Sequence, residues 1–176
     1  GRYVVYYTSD DSHSFRRFRS QPPHDPRYWG ITLTSANADF DMKNVSLFDA
    51  DAHDDDALVQ LVRVRSGEHL RQNLDLKRTT RLRIVAVGEG DYNEMYDYAW
   101  IEDRDSGRWV WEMRYRETRH AGGARKNRLF DRVIELPAGH YEVNYITDDS
   151  HAWGDWNRAH PHRPQDWGIT VSLAPE

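Results

Sequence analysis

Polar and apolar side chains alternate along most of this chain. In 80-TRLRIVAV-87, Leu82, Ile84 and Ala86 fall on one side of the backbone and Arg81 and Arg83 on the other, the period of two expected of a strand with one buried face. Runs of the same kind, separated by turn residues at spacings typical of a sandwich, predict strands over 2–8, 29–34, 58–64, 70–76, 80–87, 97–103, 108–115, 128–136, 140–147 and 167–173. No comparable segment keeps a helical period over three turns. Between the runs 97–103 and 108–115, Arg104-Asp105-Ser106-Gly107 predicts a hairpin turn, with Gly107 supplying a positive φ. Pro137-Ala138-Gly139 predicts a second tight connection. The expected fold is all-β: an antiparallel β-sandwich of jelly-roll type.

One part of the pattern occurs twice. With a fixed offset of 138 and no gap, residues 1–36 align with residues 139–174. The first strands share Gly1/Gly139, Tyr3/Tyr141 and Tyr7/Tyr145, and the second strands share Trp29-Gly30-Ile31-Thr32 with Trp167-Gly168-Ile169-Thr170. Between them, Asp10-Asp11-Ser12-His13 matches Asp148-Asp149-Ser150-His151, followed by Pro23-His24 and Pro161-His162 and by Pro26 and Pro164. The duplicated unit reads as strand, long decorated loop, strand, with the two strands of each copy expected to pair. Its period is too long for a solenoid and suits a whole domain. Two explanations stand: residues 1–36 are the tail of an upstream copy of the same domain, or the two units are equivalent halves of one fold. Nothing between 37 and 138 repeats, so one full and one partial copy is the simpler count. Residues 37–56 hold seven Asp and few core side chains, as an acidic linker does. The expected organisation is a partial repeat over 1–36, a linker over 37–56 and a sandwich over 57–176.

Composition adds limits. With 38% hydrophobic and 30% charged residues the chain could pass for disordered, yet seven Trp and ten Tyr are aromatic content that disordered chains lack. A net charge of −5 supplies no basic footprint, so nucleic acid is not an expected partner. No apolar run is long enough to span a bilayer, so membrane insertion is not expected either. The absence of Cys excludes disulfides and thiol chemistry.

The duplicated loop carries the candidate chemistry. Asp10, Asp11, Asp148 and Asp149, near a turn and a hydroxyl, suit a hard cation such as calcium, whereas the adjacent His would suit zinc. The carboxylate set of an EF-hand is absent. Where the first loop has Phe15, Arg17, Phe18 and Arg19, the second has Trp153, Asp155, Trp156 and Asn157, with His151 and His162 beside them. Aromatic faces next to carboxylates and amides are the ingredients of a sugar site. The same residues also build a loop in which Asp and Ser cap turns while His and Trp pack onto the sandwich.

Three other stretches carry less. The basic run 114-RYRETRHAGGARKNR-128 has the charge to clamp an anion but lacks the order of a P-loop, and a solvated loop bent at Gly122-Gly123 accounts for it. The glycines of 88-GEGDYNEMYDYAW-100 precede a strand rather than a helix, which removes a dinucleotide reading. Ser12 and Ser150 adjoin His and Asp, but neighbours in sequence do not form a triad, and no enzyme is expected.

The phrase 133-VIELPAGHYEVNYIT-147, two aromatic-bearing strands around a Pro-Ala-Gly turn, resembles bacterial extracellular β-sandwich modules of the pre-peptidase C-terminal kind, and is similar to jelly-roll carbohydrate-binding modules. The likeness covers the last third of the chain. It implies a secreted or cell-surface, non-catalytic module, often in tandem and attached to a hydrolase or adhesin. The expected function is binding of a glycan or another surface polymer. The alternative is a structural repeat whose partners are copies of itself, the segment 1–36 pairing with a neighbouring subunit or domain.

Overall fold

The structure, a computed structural model, describes Tyr3, Val5, Tyr7, Ser9 and residues 13–46 and 57–175. The chain divides into two compact units, Gly1–Ala52 and His53–Glu176. In the first, strands β1 (His13–Ser14) and β2 (Arg17–Phe18) pair antiparallel, and single 3-10 turns follow at Pro26–Tyr28 and Met42–Asn44. The predicted strand 2–8 lies largely outside the described residues. The predicted strand 29–34 does not form: among the described residues it takes part in no ladder.

The second unit is a β-sandwich. Its strands are β3 (Ala57–Val62), β4 (His69–Leu76), β5 (Thr80–Asp91), β6 (Glu94–Met95), β7 (Tyr98–Asp103), β8 (Arg108–Glu112), β9 (Arg119–His120), β10 (Asn127–Leu136), β11 (Gly139–Ile146) and β12 (Gly168–Leu173). One sheet runs β3-β12-β5-β10-β9, with β6 turned back on the end of β5; the other runs β4-β11-β7-β8. The ladders are antiparallel throughout.

Period two decides which side chains meet between the layers. From the first sheet come Val59 and Leu61, Leu82, Ile84 and Ala86, Phe130, and Ile169 and Val171; Ile169 stands opposite Ala86 and Val171 opposite Ile84. The facing sheet supplies Leu74 and Leu76, Tyr141, Val143 and Tyr145, and Ala99 and Ile101. The alternating positions of both sheets face outward, as a pleated strand requires.

The connections differ from the expected pairing. Pro137-Ala138 is not the turn of a hairpin: β10 belongs to the first sheet and β11 to the second, so the chain crosses the core there. The Tyr141 hydroxyl donates back to the Pro137 carbonyl at 3.0 Å and holds the corner. The long loop after β11 crosses again, returning the chain to the middle of the first sheet as β12. The two strands of the duplicated unit therefore never pair with each other. They form an arch, one leg between β4 and β7 and the other between β3 and β5.

The missing ladder at 29–34 follows from the same topology. Its sister β12 gains both of its neighbours, β3 and β5, from sequence outside the duplicated stretch. A leg with no such neighbours has nothing to bond to.

The buried Tyr145 ties the layers together, its hydroxyl donating to the Val87 carbonyl of the opposite sheet at 2.6 Å. Replacement Tyr145→Phe keeps the ring but leaves that buried carbonyl without its donor, and is expected to cost about 1–3 kcal/mol by denaturant unfolding. An unchanged midpoint would show that the bond contributes nothing net.

Candidate functional site

The long loop of the second unit is held from within. Trp167, fully buried at its end, donates its indole N–H to Asp97 Oδ2 at 3.1 Å, and the Asp148 backbone N–H donates to Asp97 Oδ1 at 2.8 Å. One carboxylate just before β7 thus fastens both ends of the loop. His151, also fully buried, packs edge-on to Trp167 and Trp156, with ring centroids 5.6 and 5.1 Å away, and Trp156 meets Trp167 edge-on at 4.9 Å. Edge-to-face contact is the arrangement that aromatic quadrupoles favour.

The histidine tautomer follows from its neighbour. Asn127 Nδ2 donates to the carbonyls of Gly122 and Ala159, so Asn127 Oδ1 is left to accept, and His151 Nε2 must carry the proton at 2.7 Å. No hydrogen bond from the described residues reaches the buried His151 Nδ1. Burial, followed by the nearby Lys126 charge, holds this imidazole down at about 4.

Beside Asp97 stand Glu89 and Asp148. The three carboxylates can each place an oxygen within 4.8 Å of the others, an arrangement that could hold a metal ion. Lys126 Nζ meets Glu89 Oε1 at 2.8 Å, whereas Glu89 Oε2 is buried with no partner among the described residues. Burial lifts the Asp97 carboxyl to about 8, with the Asp148 and Glu89 charges adding to the rise. Glu89 is likewise raised by burial, against the opposing pull of Lys126.

Of the predicted metal residues, Asp148 alone enters this cluster. Asp149 is exposed, and Asp10 and Asp11 lie outside the described residues. Sequence reading missed Glu89 and Asp97, which arrive from the β5–β7 region and carry no motif. Asp148 also accepts from the Ser150 N–H at 2.8 Å, the turn-capping role weighed for it above.

The predicted sugar residues do not converge on one opening. His151 is buried and Trp156 is wedged against it; Trp153 lies under the Arg63 guanidinium, 5.7 Å from the ring centre. Asp155 turns to Ser66 Oγ at 3.4 Å, and Asn157 accepts from Lys126 at 2.8 Å. His162 is exposed, its backbone N–H bonded to the Ala121 carbonyl. The basic run is engaged locally as well: Arg114 pairs with Glu112, Arg125 with Asp91 and Lys126 with Glu89, while Arg128 lies over the Tyr115 ring at 4.4 Å.

An aromatic platform does exist, on the outer face of the β4-β11-β7-β8 sheet. Trp109 is 49% exposed and lies stacked on Trp100, which is 8% exposed, with centroids 5.0 Å apart and planes 25° from parallel. His69 and Tyr98 flank Trp100 at 5.2 and 5.7 Å. Register places Asn144 and Glu112 on either side of Trp100, and Glu102 opposite Trp109. The indole N–H of Trp100 is buried without an acceptor among the described residues. Tyr98 and Glu112 also line a cleft of about 590 Å³ that continues over Glu94, Arg114, Tyr115 and Arg116.

Comparison with known proteins finds no matching family model, no matching curated protein and no matching solved structure. The class that the geometry defines is an all-β sandwich, with an arch pinned by a buried Trp–Asp–His cluster.

The Asp97 shift has a definite sign. Its folded value, about 8, lies above the ordinary 3.8, so between these limits the folded state keeps a proton that the unfolded chain releases, and stability falls as pH rises. His151 acts oppositely, losing stability as pH falls from 6.5 towards about 4. Between pH 6.5 and 8 the carboxyl effects remain, together with that of the exposed His140, which its hydrogen bond to Asp75 raises above 6.5 and which acts in the same direction as Asp97. With chelator present, the melting temperature should decline across that window, and Asp97→Asn should make the decline shallower whatever it costs at pH 6.5. A flat profile in the unmodified protein would contradict the buried, proton-holding carboxyl.

Proposed function

We propose that this protein is a non-catalytic glycan-binding module, acting outside the cell, and that the sugar lies on the outer face of the β4-β11-β7-β8 sheet rather than on the long loop. The observation that carries this reading is the Trp109 ring, half exposed and backed by the buried Trp100. A pyranose presents axial C–H bonds that stack on such a face, and a ring already held by a second ring loses little freedom on binding. Glu102 and Glu112 stand on the same face, offering acceptors for hydroxyls. The cleft sharing Tyr98 and Glu112 has the volume of a small-ligand pocket and extends the surface beyond one sugar.

Trp109→Ala is expected to abolish retention on a polysaccharide panel in affinity electrophoresis while moving the melting temperature by only a few degrees, because the ring lies on the surface. Retention unchanged in this variant would remove the sheet face as the site; loss in Trp153→Ala instead would return it to the loop.

Calcium at Glu89, Asp97 and Asp148 is a second proposal with its own observation, the buried and unpartnered Glu89 Oε2. Oxygens sharing one calcium stand no more than about 5 Å apart, which the cluster satisfies, and an all-oxygen donor set favours calcium over zinc. Lys126 keeps Glu89 Oε1, leaving Oε2 for the ion. Calcium at about a hundredfold its dissociation constant should then stabilise the protein by about 2.7 kcal/mol, and Asp148→Asn should remove the gain. A melting curve indifferent to calcium and chelator would leave the Lys126 ion pair as the cluster's sole cation.

A further inference from the structure

The loop of residues 13–29 is built as its sister is built. His13, Phe18 and Trp29 meet edge-on at 5.1, 5.3 and 5.4 Å, matching the triangle of His151, Trp156 and Trp167 at 5.1, 5.6 and 4.9 Å. The pairing of Ser14 with Arg17 recurs as the bridge between Ala152 and Asp155, and the 3-10 turn Pro26–Tyr28 recurs as Pro164–Asp166. Arg16 and Gly154 have φ of 70° and 81°, and Gly30 and Gly168 have φ of 144° and 137°.

What the first copy lacks is everything that the second copy receives from its sandwich. Tyr141, Val143, Tyr145, Ile169 and Val171 are at most 2% exposed, whereas the corresponding Tyr3, Val5, Tyr7, Ile31 and Leu33 are 82, 51, 49, 51 and 74% exposed. Gly168 runs so close to β3 that a Cβ would stand 1.9 Å from the Leu61 carbonyl oxygen, but Gly30 keeps the same backbone conformation with nothing within 4 Å. Trp167 gives its indole N–H to Asp97, while the Trp29 indole N–H is buried with no acceptor among the described residues. Each gap has the shape of a specific absent part: a β3, a core and an Asp97.

We infer that residues 1–36 are the closing arch of a second sandwich, whose other strands are a preceding copy of the region 57–138 in the same polypeptide. The first leg enters between that copy's counterparts of β4 and β7, and the second between its counterparts of β3 and β5. Its counterpart of Asp97 receives the Trp29 N–H. The chain then carries parts of two successive domains, joined by the acidic stretch 37–56. This inference does not depend on the glycan reading, since it concerns the arch and not the outer sheet face.

The test joins a second copy of residues 53–138 directly to Gly1 of the full chain, so that residues 1–36 follow it as 139–174 follow in the second unit. Limited proteolysis read by mass spectrometry should show cleavage within 1–36 slowed at least about tenfold relative to the full chain alone. The calorimetric unfolding enthalpy should rise nearly in proportion to the ordered length, about twofold. Ile31→Asp, placed in the fusion, should restore cleavage within 1–36 while residues 57–175 stay resistant. Cleavage within 1–36 as fast in the fusion as in the full chain, with no gain in enthalpy, would overturn the inference. So would a full chain that dimerises by light scattering and loses the dimer on Ile31→Asp, because the arch would then be filling a neighbour's sandwich.

Discussion

The second unit depends on how one chain segment is allowed to leave a sheet, cross the core and enter the opposite sheet. That crossing exposes backbone and loop side chains to a place where unpaired polar groups are costly. Asp97 resolves it by accepting from the Asp148 N–H where the loop begins and from the Trp167 indole where it ends. Trp167 in turn is the floor on which His151 and Trp156 pack edge-on, and His151 reaches Asn127, whose amide bonds the carbonyls of Gly122 and Ala159. A single buried carboxylate therefore organises the loop, the start of β10 and the turn before it.

The arrangement has an electrostatic consequence. A carboxylate placed among buried aromatic rings and two further acids holds its proton towards neutral pH, and its neighbour His151 stays neutral for the same reason of burial. Lys126 compensates only one of the three acids directly. The cluster is thus a structural anchor with spare capacity for positive charge. The outer sheet face, by contrast, has no part in the anchoring. Its stacked Trp100 and Trp109 stand on the far side of β7 and β8 from the core.

Duplication separates what a segment specifies alone from what it borrows. In the first copy the His–Phe–Trp triangle, the 3-10 turn and the positive φ of Arg16 and Gly30 are present without the core contacts of the second copy. They are local, set by Pro, Gly and rings close in sequence. The strand at 29–34 is absent for the opposite reason, since a ladder is a relation between two segments and needs its neighbours.

The amino-acid order by itself determined eight of the ten strands of the second unit, all but the two-residue β6 and β9, together with the turn at Gly107 and the repeat, because period two and the φ preference of Gly are written in adjacent residues. It singled out Asp148, Trp156 and His151, which do gather in one place, but as anchors rather than as a converging sugar site. Tertiary structure alone decided that the repeated unit is an arch, that Asp97 and Glu89 meet Asp148, and that Trp100 and Trp109 stack. Each of these depends on which sheet a strand joins and in what register, and neither sheet membership nor register is carried by the strand's own residues.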